Sequence, residues 1–338
     1  MLQVKIPQNL SLRNALNFCN RLWDLEYSDE YAFDFANLGR VEPFTMAYVA
    51  NELKRFRKSK PKSKFTALNH QNKSYAAHMG FFRAFGLKFG NEPGEAPGSS
   101  TYLPLTILNV ADLQQEAADS YDHVGNIIEA KSEKIAKILT RQNSGDLIDT
   151  LTFSIREILR NVVEHSESEI IEYCAQYWPT KNLVELAILD TGNGIMHGLS
   201  TNPFLNISHE RDALYLAMLP GVSGKMYKGV KKRKHDEWQN SGFGLYMTSR
   251  ICRNGGDFFI ASNDKSIFLD RTSKNDLECK YKGTALRLRI DTSKIYSYSE
   301  MLAQYRKEGY EAAKKFSGKD AIEPSIASTM LARDFQET

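Results

Sequence analysis

Apolar and polar positions alternate with two different periods along the chain, which predicts a mixture of strands and helices. The first part of the pattern predicts strands at 31–35 and 64–68, helices at 43–58 and 74–86, a Gly- and Pro-rich loop at 89–100, and an extended segment at 101–108. Because these short elements can pack against one another around a core, we expect residues 1–108 to form a small α/β domain.

The rest of the chain continues the mixture with longer elements. A polar, helix-favouring segment runs from Val110 to about Gln142, and the many apolar positions at 147–165 predict a well-buried helix. The later pattern predicts strands at 169–178, 182–190, 257–262, 266–270 and 283–290, helices at 242–254 and 298–316, and an irregular region at 196–241. We therefore divide the chain after residue 108 into a helical linker (109–145), an α/β (α+β) domain (146–292), and a C-terminal helix with a loose tail (293–338).

Composition and charge narrow the class of protein. The 338 residues are 42% hydrophobic and 25% charged, which is the balance of a soluble globular protein. A net charge of only +3 implies no general attraction to nucleic acid or to a membrane surface. The four cysteines are widely spaced without a CxxC pair, and the sequence shows neither a signal peptide nor a long apolar run. We therefore expect a cytoplasmic protein without zinc, disulfides or a membrane span, and no nucleic-acid partner.

The first candidate for chemistry is the stretch EILRN on the buried helix. Glu157 and Asn161 are four residues apart, so their side chains share one helix face, with about 5–6 Å between the Cβ atoms. An amide oxygen can bind Mg²⁺ together with phosphates and waters, and a carboxylate can deprotonate an attacking water. The same spacing also occurs on ordinary helices, so alone it indicates no function.

The second candidate is DTGNGI, which follows the apolar run VELAIL. Asp190 at the strand end accepts hydrogen bonds only and can therefore select the exocyclic amine of adenine. Gly192 and Gly194 would let the backbone approach a flat ring. An ordinary turn explains the same residues when they are taken alone.

The third and fourth candidates are NSGFGLYM and the start of KGTALRLRI. Backbone N–H groups at a glycine-rich helix start form an anion site, and Ser241 could cap the helix. This candidate set comprises Ser241, Gly242, Phe243, Gly244 and Leu245. Thr284 could bond to the same adenine edge as Asp190. A plain capped helix remains the alternative for the glycines.

The four motifs occur in the order E-x-x-x-N, D-x-G-x-G, G-x-G-L and G-T, each in the element that it needs. Over roughly 145–292 this order resembles the ATP-binding domain shared by DNA gyrase, heat-shock chaperones, sensor histidine kinases and MutL repair proteins, the GHKL superfamily. The resemblance implies a Bergerat-type α/β sandwich, in which a mixed sheet packs against helices and the nucleotide lies between the sheet and a mobile lid.

The resemblance also implies the role of each candidate residue, with ATP and Mg²⁺ as cofactors. Asn161 would bind Mg²⁺, Asp190 would contact N6 of adenine, and Glu157 would be the general base. Gly192 and Gly194 would line the base pocket, Gly242 and Gly244 would face the phosphates, and Thr284 would assist Asp190. We expect His123 and His165 to have surface or structural roles, and Cys174 and Cys252 to lie in the core.

The lid implied by the resemblance is 196–241. Ser223 and Gly224 would provide its turn, and Lys225 or Lys228 would reach the phosphates when it closes. Six Lys or Arg residues fall between 225 and 234, which is also typical of a solvated loop. A nucleic-acid patch is a further alternative, although few aromatic residues interleave with these charges.

The stretch EYAFDFANLGRVEPFTMAYVANELKRF near the start of the chain resembles the sulfate-transporter and anti-sigma-antagonist (STAS) domain. Asp34 ends the strand, Phe44 takes the place of the phosphorylated serine, and Thr45 takes that of the following glycine. In anti-sigma systems such a domain is the partner of a stand-alone GHKL kinase, and REILRNVVEHS is closest in style to those kinases. The two domains would be fused here.

Three functions are consistent with these motifs. The first is Mg²⁺-dependent ATP hydrolysis that gates a conformational or partner switch in a bacterial regulatory or defence system. The second is a serine/threonine protein kinase of the anti-sigma type that acts on a STAS-like partner, although Phe44 weakens an internal target. The third is a non-catalytic, ATP-dependent interaction module. All three imply a protein partner, and analogy with the superfamily suggests a homodimer.

Overall fold

We describe the protein from a computed structural model, which defines the placement of residues 1–227, 230, 242–295 and 297–317. Within these residues the chain forms a sheet of three strands and a sheet of seven strands, with helices between and around them. The predicted mixed α/β class is therefore confirmed. None of the helices in these ranges is both long enough and apolar enough to cross a membrane.

The N-terminal elements build the smaller sheet. They are β1 (Leu2–Lys5), α1 (Leu12–Trp23), β2 (Glu30–Asp34), α2 (Pro43–Ser59), β3 (Lys64–Leu68), α3 (Ser74–His78) and α4 (Phe81–Ala84). The strands are parallel and adjacent in the order β1-β2-β3. The single helix predicted at 74–86 is wrong, because Gly80 adopts a φ of +85° that separates α3 from α4. Strand β1 and helix α1 were not predicted from the sequence.

The remaining elements build the larger sheet and its helices. In chain order they are β4 (Tyr102–Asn109), α5 (Val110–Asp119), α6 (Val124–Thr140), α7 (Asp146–Asn161) with a π-helical turn (Val162–Ser166), β5 (Ile170–Trp178), a 3-10 turn (Pro179–Lys181), β6 (Leu183–Asp190), α8 (Gly194–Ser200), α9 (Glu210–Ala217), α10 (Gly244–Arg253), β7 (Asp257–Ser262), β8 (Lys265–Leu269), β9 (Lys274–Glu278), β10 (Thr284–Asp291), a 3-10 turn (Thr292–Lys294) and α11 (Tyr298–Ser317). The region predicted as irregular, 196–241, therefore contains two helices, and most of its basic run lies outside the described residues.

The strand order of the larger sheet is β4-β5-β6-β10-β7-β8-β9, and each pairing between neighbours is antiparallel. The mixed pairing implied by the resemblance is therefore wrong for this sheet. Strand β4 pairs with β5, so the segment at 101–108 belongs to the larger sheet and not to the N-terminal domain in which we expected it.

Both faces of the larger sheet are covered, which explains why β6 is apolar along nearly its whole length. Leu186 and Ile188 face a core shared with α6, α7 and α10. Ala187 and Leu189, which point to the other face, join a second core shared with the N-terminal elements. The sheet is therefore the middle layer between two sets of helices.

Helix α2 fills the space between the two sheets, so its residues from Pro43 to Leu53 are buried on all sides of the helix. Its start is fixed by polar contacts with the larger sheet. The Phe44 backbone N–H donates to Glu185 Oε1 at 3.1 Å. Arg287 Nε donates to Glu185 Oε2 at 3.1 Å, and Arg287 Nη1 donates to Asp257 Oδ1 at 2.8 Å. Arg287 Nη2 also donates to Glu42 Oε2 at 3.3 Å, so apolar packing, a backbone hydrogen bond and this ion pair join the N-terminal elements to the larger sheet.

Candidate functional site

One cleft brings together residues from α7, the π-helical turn, β6, α8, α10 and β10. It encloses about 760 Å³, including the part that opens to solvent. The sequence-predicted residues that line it are Asn161, Asp190, Gly194, Gly224, Gly242, Gly244, Leu245 and Thr284. The motifs separated by long stretches of sequence therefore meet at a single place in the fold.

Much of the cleft wall is apolar. Its walls include Val162 on the π-helical turn, Leu199 on α8, Ile260 on β7 and Leu286 on β10. Asp190 is the carboxylate among these lining residues. A pocket with apolar walls and a single carboxylate suits a flat ligand that carries a hydrogen-bond donor at one edge.

Asp190 is held at the last position of β6, next to the first residue of β10. Its Oδ1 accepts from the backbone N–H of Gly192 at 2.8 Å and from that of Thr284 at 3.3 Å. Burial leaves the residue 2% exposed and raises the pKa of its carboxyl to about 6, against the lowering effect of those hydrogen bonds. The carboxylate is therefore oriented by the backbone before any ligand arrives.

Gly192 and Gly194 occupy different environments. A Cβ on Gly192 would lie 2.0 Å from the Ser166 carbonyl oxygen, so this glycine allows the strand end to pack against the π-helical turn. Gly194 lines the cleft and starts α8. At Gly192 the backbone is close to the Ser166 backbone, and Gly192 is not among the residues that line the cleft.

Glu157 and Asn161 lie on one face of α7, as their spacing predicts. Asn161 lines the cleft, whereas the Glu157 carboxylate lies behind the lining, under the start of α10. Glu157 Oε1 accepts from Arg156 Nη2 at 3.1 Å and lies 3.6 Å from Arg160 Nη1. A Cβ on Gly244 would lie 2.0 Å from Glu157 Oε2, so a glycine is required there.

The glycine-rich stretch forms the start of α10, and Gly242 and Gly244 both line the cleft. Phe243 is fully buried in the core, while Leu245 lines the cleft. Backbone N–H groups at a helix start can form an anion site. Ser241, the predicted cap, lies outside the described residues.

The segment at 221–226 is bound to α8. Ser223 Oγ accepts from the Lys225 N–H at 3.2 Å, and Thr201 Oγ1 donates to the Gly224 carbonyl at 2.9 Å. Lys225 Nζ donates to the Glu164 carbonyl at 2.7 Å, which places its charge at the end of the π-helical turn. Lys228 lies outside the described residues.

His165 lines the cleft, although the sequence analysis assigned it a surface or structural role. Burial, followed by the nearby charges of Lys225 and Arg160, lowers its pKa to about 4. The signal was present in the sequence, because His165 is four residues after Asn161 and continues the same helical face. The π-helical turn keeps it on the cleft side, as such turns often do at functional sites.

In the described part of the chain, no group of three or more His, Cys, Asp or Glu side chains could hold a metal ion. The predicted magnesium site needs no such group, because it uses one amide oxygen together with phosphate oxygens and waters. Asn161, on the cleft wall near the start of α10, fits that requirement.

No family model matches the chain, and no curated protein matches it either. The resemblance to GHKL proteins therefore remains one of motifs and their order. What the cleft can bind has to follow from its own residues.

Proposed function

We propose that this chain binds ATP with Mg²⁺ in the cleft, as a GHKL-type protein, and uses nucleotide binding and hydrolysis to switch a protein partner. The observation that carries the proposal is the shared cleft of Asp190 and Asn161, which lie 29 residues apart in the sequence (190 − 161). The cleft combines an oriented acceptor and apolar walls with an amide and a glycine-rich helix start.

The Asp190 carboxylate and the apolar walls of the cleft fit adenine. The Asp190 carboxylate accepts a hydrogen bond from the exocyclic amine, and Val162, Ile260 and Leu286 pack against the ring. Guanine presents a carbonyl oxygen at the corresponding edge, which a carboxylate repels. The cleft therefore selects ATP over GTP.

Asn161 and the glycine-rich start of α10 fit a triphosphate. The backbone N–H groups at the start of α10 bind phosphate oxygens, and Lys225 lies close enough to the π-helical turn to add a positive charge. Mg²⁺, when bound, neutralises the phosphates, and Asn161 is the residue that would hold it. Glu157 orients or deprotonates the attacking water once nucleotide binding releases it from Arg156.

A second candidate is a switch that binds ATP without hydrolysing it. It is favoured by one observation, the engagement of the Glu157 carboxylate by Arg156 and Arg160 behind the cleft lining. An internal kinase target is not favoured, because Thr45 is fully buried and its hydroxyl donates to the Glu42 carbonyl at 3.0 Å. Incubation with labelled ATP separates these activities: free phosphate indicates hydrolysis, labelled protein indicates a kinase, and retention of intact ATP indicates binding alone.

The binding site itself is tested by calorimetric titration of ATP and GTP in the presence of Mg²⁺. We expect ATP binding, weaker GTP binding, and a loss of ATP affinity of at least tenfold in Asn161→Ala. The control Asn14→Ala changes an exposed amide on α1, beyond the opposite face of the larger sheet, and should bind as the wild type does. Equal affinity for ATP and GTP, or unchanged ATP affinity in Asn161→Ala, contradicts the proposal.

A further inference from the structure

The C-terminal part of α2 and the turn after it carry a dense run of positive charge. Seven of the eleven residues from 54 to 64 are basic: Lys54, Arg55, Arg57, Lys58, Lys60, Lys62 and Lys64. The net charge of +3 for the whole chain conceals this concentration on one part of the surface. The expectation of no nucleic-acid partner was based on that net charge.

Four of these residues, Lys54, Arg57, Lys58 and Lys60, line a groove between the end of α2, the turn at 60–63 and the region of α4. We call it the basic groove. The groove encloses about 1000 Å³, including the part open to solvent. Its cationic lining residues are Lys54, Arg57, Lys58, Lys60 and Arg83, against the single carboxylate of Glu92. The groove is therefore strongly positive and concave.

Only part of this charge is balanced by the protein. Arg83 pairs with Glu92 at 3.0 Å, and Lys54 lies 3.9 Å from Glu172. Across the described ranges, Lys58 and Lys62 have no carboxylate within 4.0 Å and both are exposed. Ammonium groups without carboxylate partners, in the groove lining at Lys58 and on the adjoining turn at Lys62, are available to an external polyanion.

The positive surface continues on the other side of α2. A second depression shares Lys54 and Lys58 with the basic groove and adds Arg55 and Lys282. Glu172 and Thr191 also line it, and Glu172 is the only carboxylate among its described lining residues. The positive charge of α2 is therefore exposed to both depressions.

The spacing of the cations and the nearby aromatic rings suit a phosphodiester chain. Lys54, Arg57 and Lys58 are at positions i, i+3 and i+4 of α2, so they share a face at about 5–6 Å between Cβ atoms. Lys60 Nζ lies 5.9 Å from the centre of the Tyr27 ring, which is 60% exposed. Aromatic rings beside cations allow unpaired bases to stack while their phosphates are neutralised.

We propose that the basic groove binds single-stranded nucleic acid, with Lys58 and Lys62 at the phosphates and Tyr27 against a base. The concave shape distinguishes this ligand from a flat anionic membrane, and the exposed ring distinguishes it from an acidic polypeptide. The inference does not depend on the nucleotide cleft, and its test is carried out without ATP.

The test measures fluorescence polarisation of a labelled oligothymidine of about 20 nucleotides with the full chain, over a series of salt concentrations. We expect Lys58→Glu/Lys62→Glu to lose at least tenfold in affinity and to reduce the slope of log K against log salt by roughly one unit or more. Tyr27→Ala should lose about tenfold with an unchanged salt slope, because it removes stacking and no charge. The control Lys134→Glu/Lys181→Glu makes the same charge change at exposed positions on α6 and in the 3-10 turn, and should bind as the wild type does.

Several outcomes would overturn the proposal. They are equal weakening in the control, no effect of Tyr27→Ala, tighter binding of the matching duplex, or equally tight binding of polyglutamate or of phosphatidylserine vesicles. Because all five substituted positions are exposed, unchanged melting temperatures should show that the variants are folded.

Discussion

Asp190 is a buried carboxylate whose pKa affects the stability of the fold. Its carboxyl pKa of about 6 lies above the value of about 3.9 expected in the unfolded chain. The resulting contribution to stability is complete below pH 3.9 or so and is lost as the pH rises through about 6. At neutral pH the buried charge therefore destabilises the protein in the absence of a ligand.

We expect Asp190→Asn to be more stable than the wild type at pH 8, by up to about 3 kcal/mol, and to bind ATP at least tenfold more weakly. The Asn side-chain oxygen can still accept from Gly192 and Thr284, while the new amide group faces the adenine amine with a donor. Urea unfolding at pH 8 and at pH 4, with calorimetric titration of ATP, measures both effects. The stability difference should shrink at pH 4, and unchanged ATP affinity would reject the role of Asp190.

Under the proposed function, Glu157 is the general base for hydrolysis. We expect Glu157→Gln to retain ATP binding and to lose at least a hundredfold in the rate of phosphate release, because an amide cannot accept the proton of the attacking water. Phosphate release under single-turnover conditions measures this rate. If the variant hydrolyses ATP as fast as the wild type, Glu157 is not the general base.

At the scale of elements, the start of α2 is fixed to the larger sheet by a buried network around Arg287. Glu185 is fully buried, and burial raises its pKa while Arg287 opposes that effect. Tyr48 of α2 also stacks on Tyr281 at 5.2 Å, and the Tyr281 hydroxyl donates to the Asp190 carbonyl at 3.1 Å. The contacts that dock α2 therefore reach the strand end that carries the candidate adenine acceptor.

We expect Arg287→Met to lower the free energy of unfolding by about 3–5 kcal/mol, because it leaves Glu185 buried without its main partner. The double variant Glu185→Leu/Arg287→Met should recover part of this loss, since it removes the unpaired Glu185 carboxylate and leaves Arg289 3.5 Å from Asp257. Urea unfolding measures both, with the exposed Arg13→Met as the control for removal of an arginine. A double variant less stable than Arg287→Met would contradict this account of the network.

The sequence predicts those elements whose period is clear from neighbouring residues. The strands predicted at 64–68 and 257–262 have the observed bounds, and the other predicted strands lie within one residue of theirs. Strand β9, with the sequence KNDLE, was missed because it is a polar edge strand with little alternation to detect. The helix α9 was missed because the adjacent glycines and basic residues led us to treat the whole of 196–241 as irregular.

The candidate site was predictable to a similar extent, for a similar reason. Asn161, Asp190, Gly242 and Thr284 could be selected because each belongs to a short motif placed on a recognisable element. The π-helical form of the turn after α7 has no such local signal, and neither does the engagement of Glu157 by Arg156. Contacts that depend on packing between distant segments are visible only in the fold.

At the scale of the whole molecule, the pattern of short elements suggested an N-terminal domain that ends at residue 108. In the structure, β4 is an edge strand of the larger sheet, and one core contains Phe33 of β2 together with Leu189 of β6 and Phe259 of β7. The larger sheet would lose the cover of one face without the N-terminal elements. We infer that the two parts fold as one unit.

A single cooperative unfolding transition is therefore expected. Two tryptophans report on it, one in the N-terminal part and one in the larger sheet. Trp23 ends α1 in the N-terminal part, and Trp178 ends β5 in the larger sheet. With Trp238 replaced by Phe, the variants Trp23→Phe and Trp178→Phe each retain one of these fluorescent probes. Within each variant, the urea midpoint from fluorescence should coincide with that from circular dichroism, and calorimetry of the wild type should give one peak. An earlier transition reported by Trp23 alone would mean that the N-terminal elements separate from the sheet before it unfolds. The shared core of Phe33, Leu189 and Phe259 would then stabilise the N-terminal elements too weakly to make unfolding cooperative.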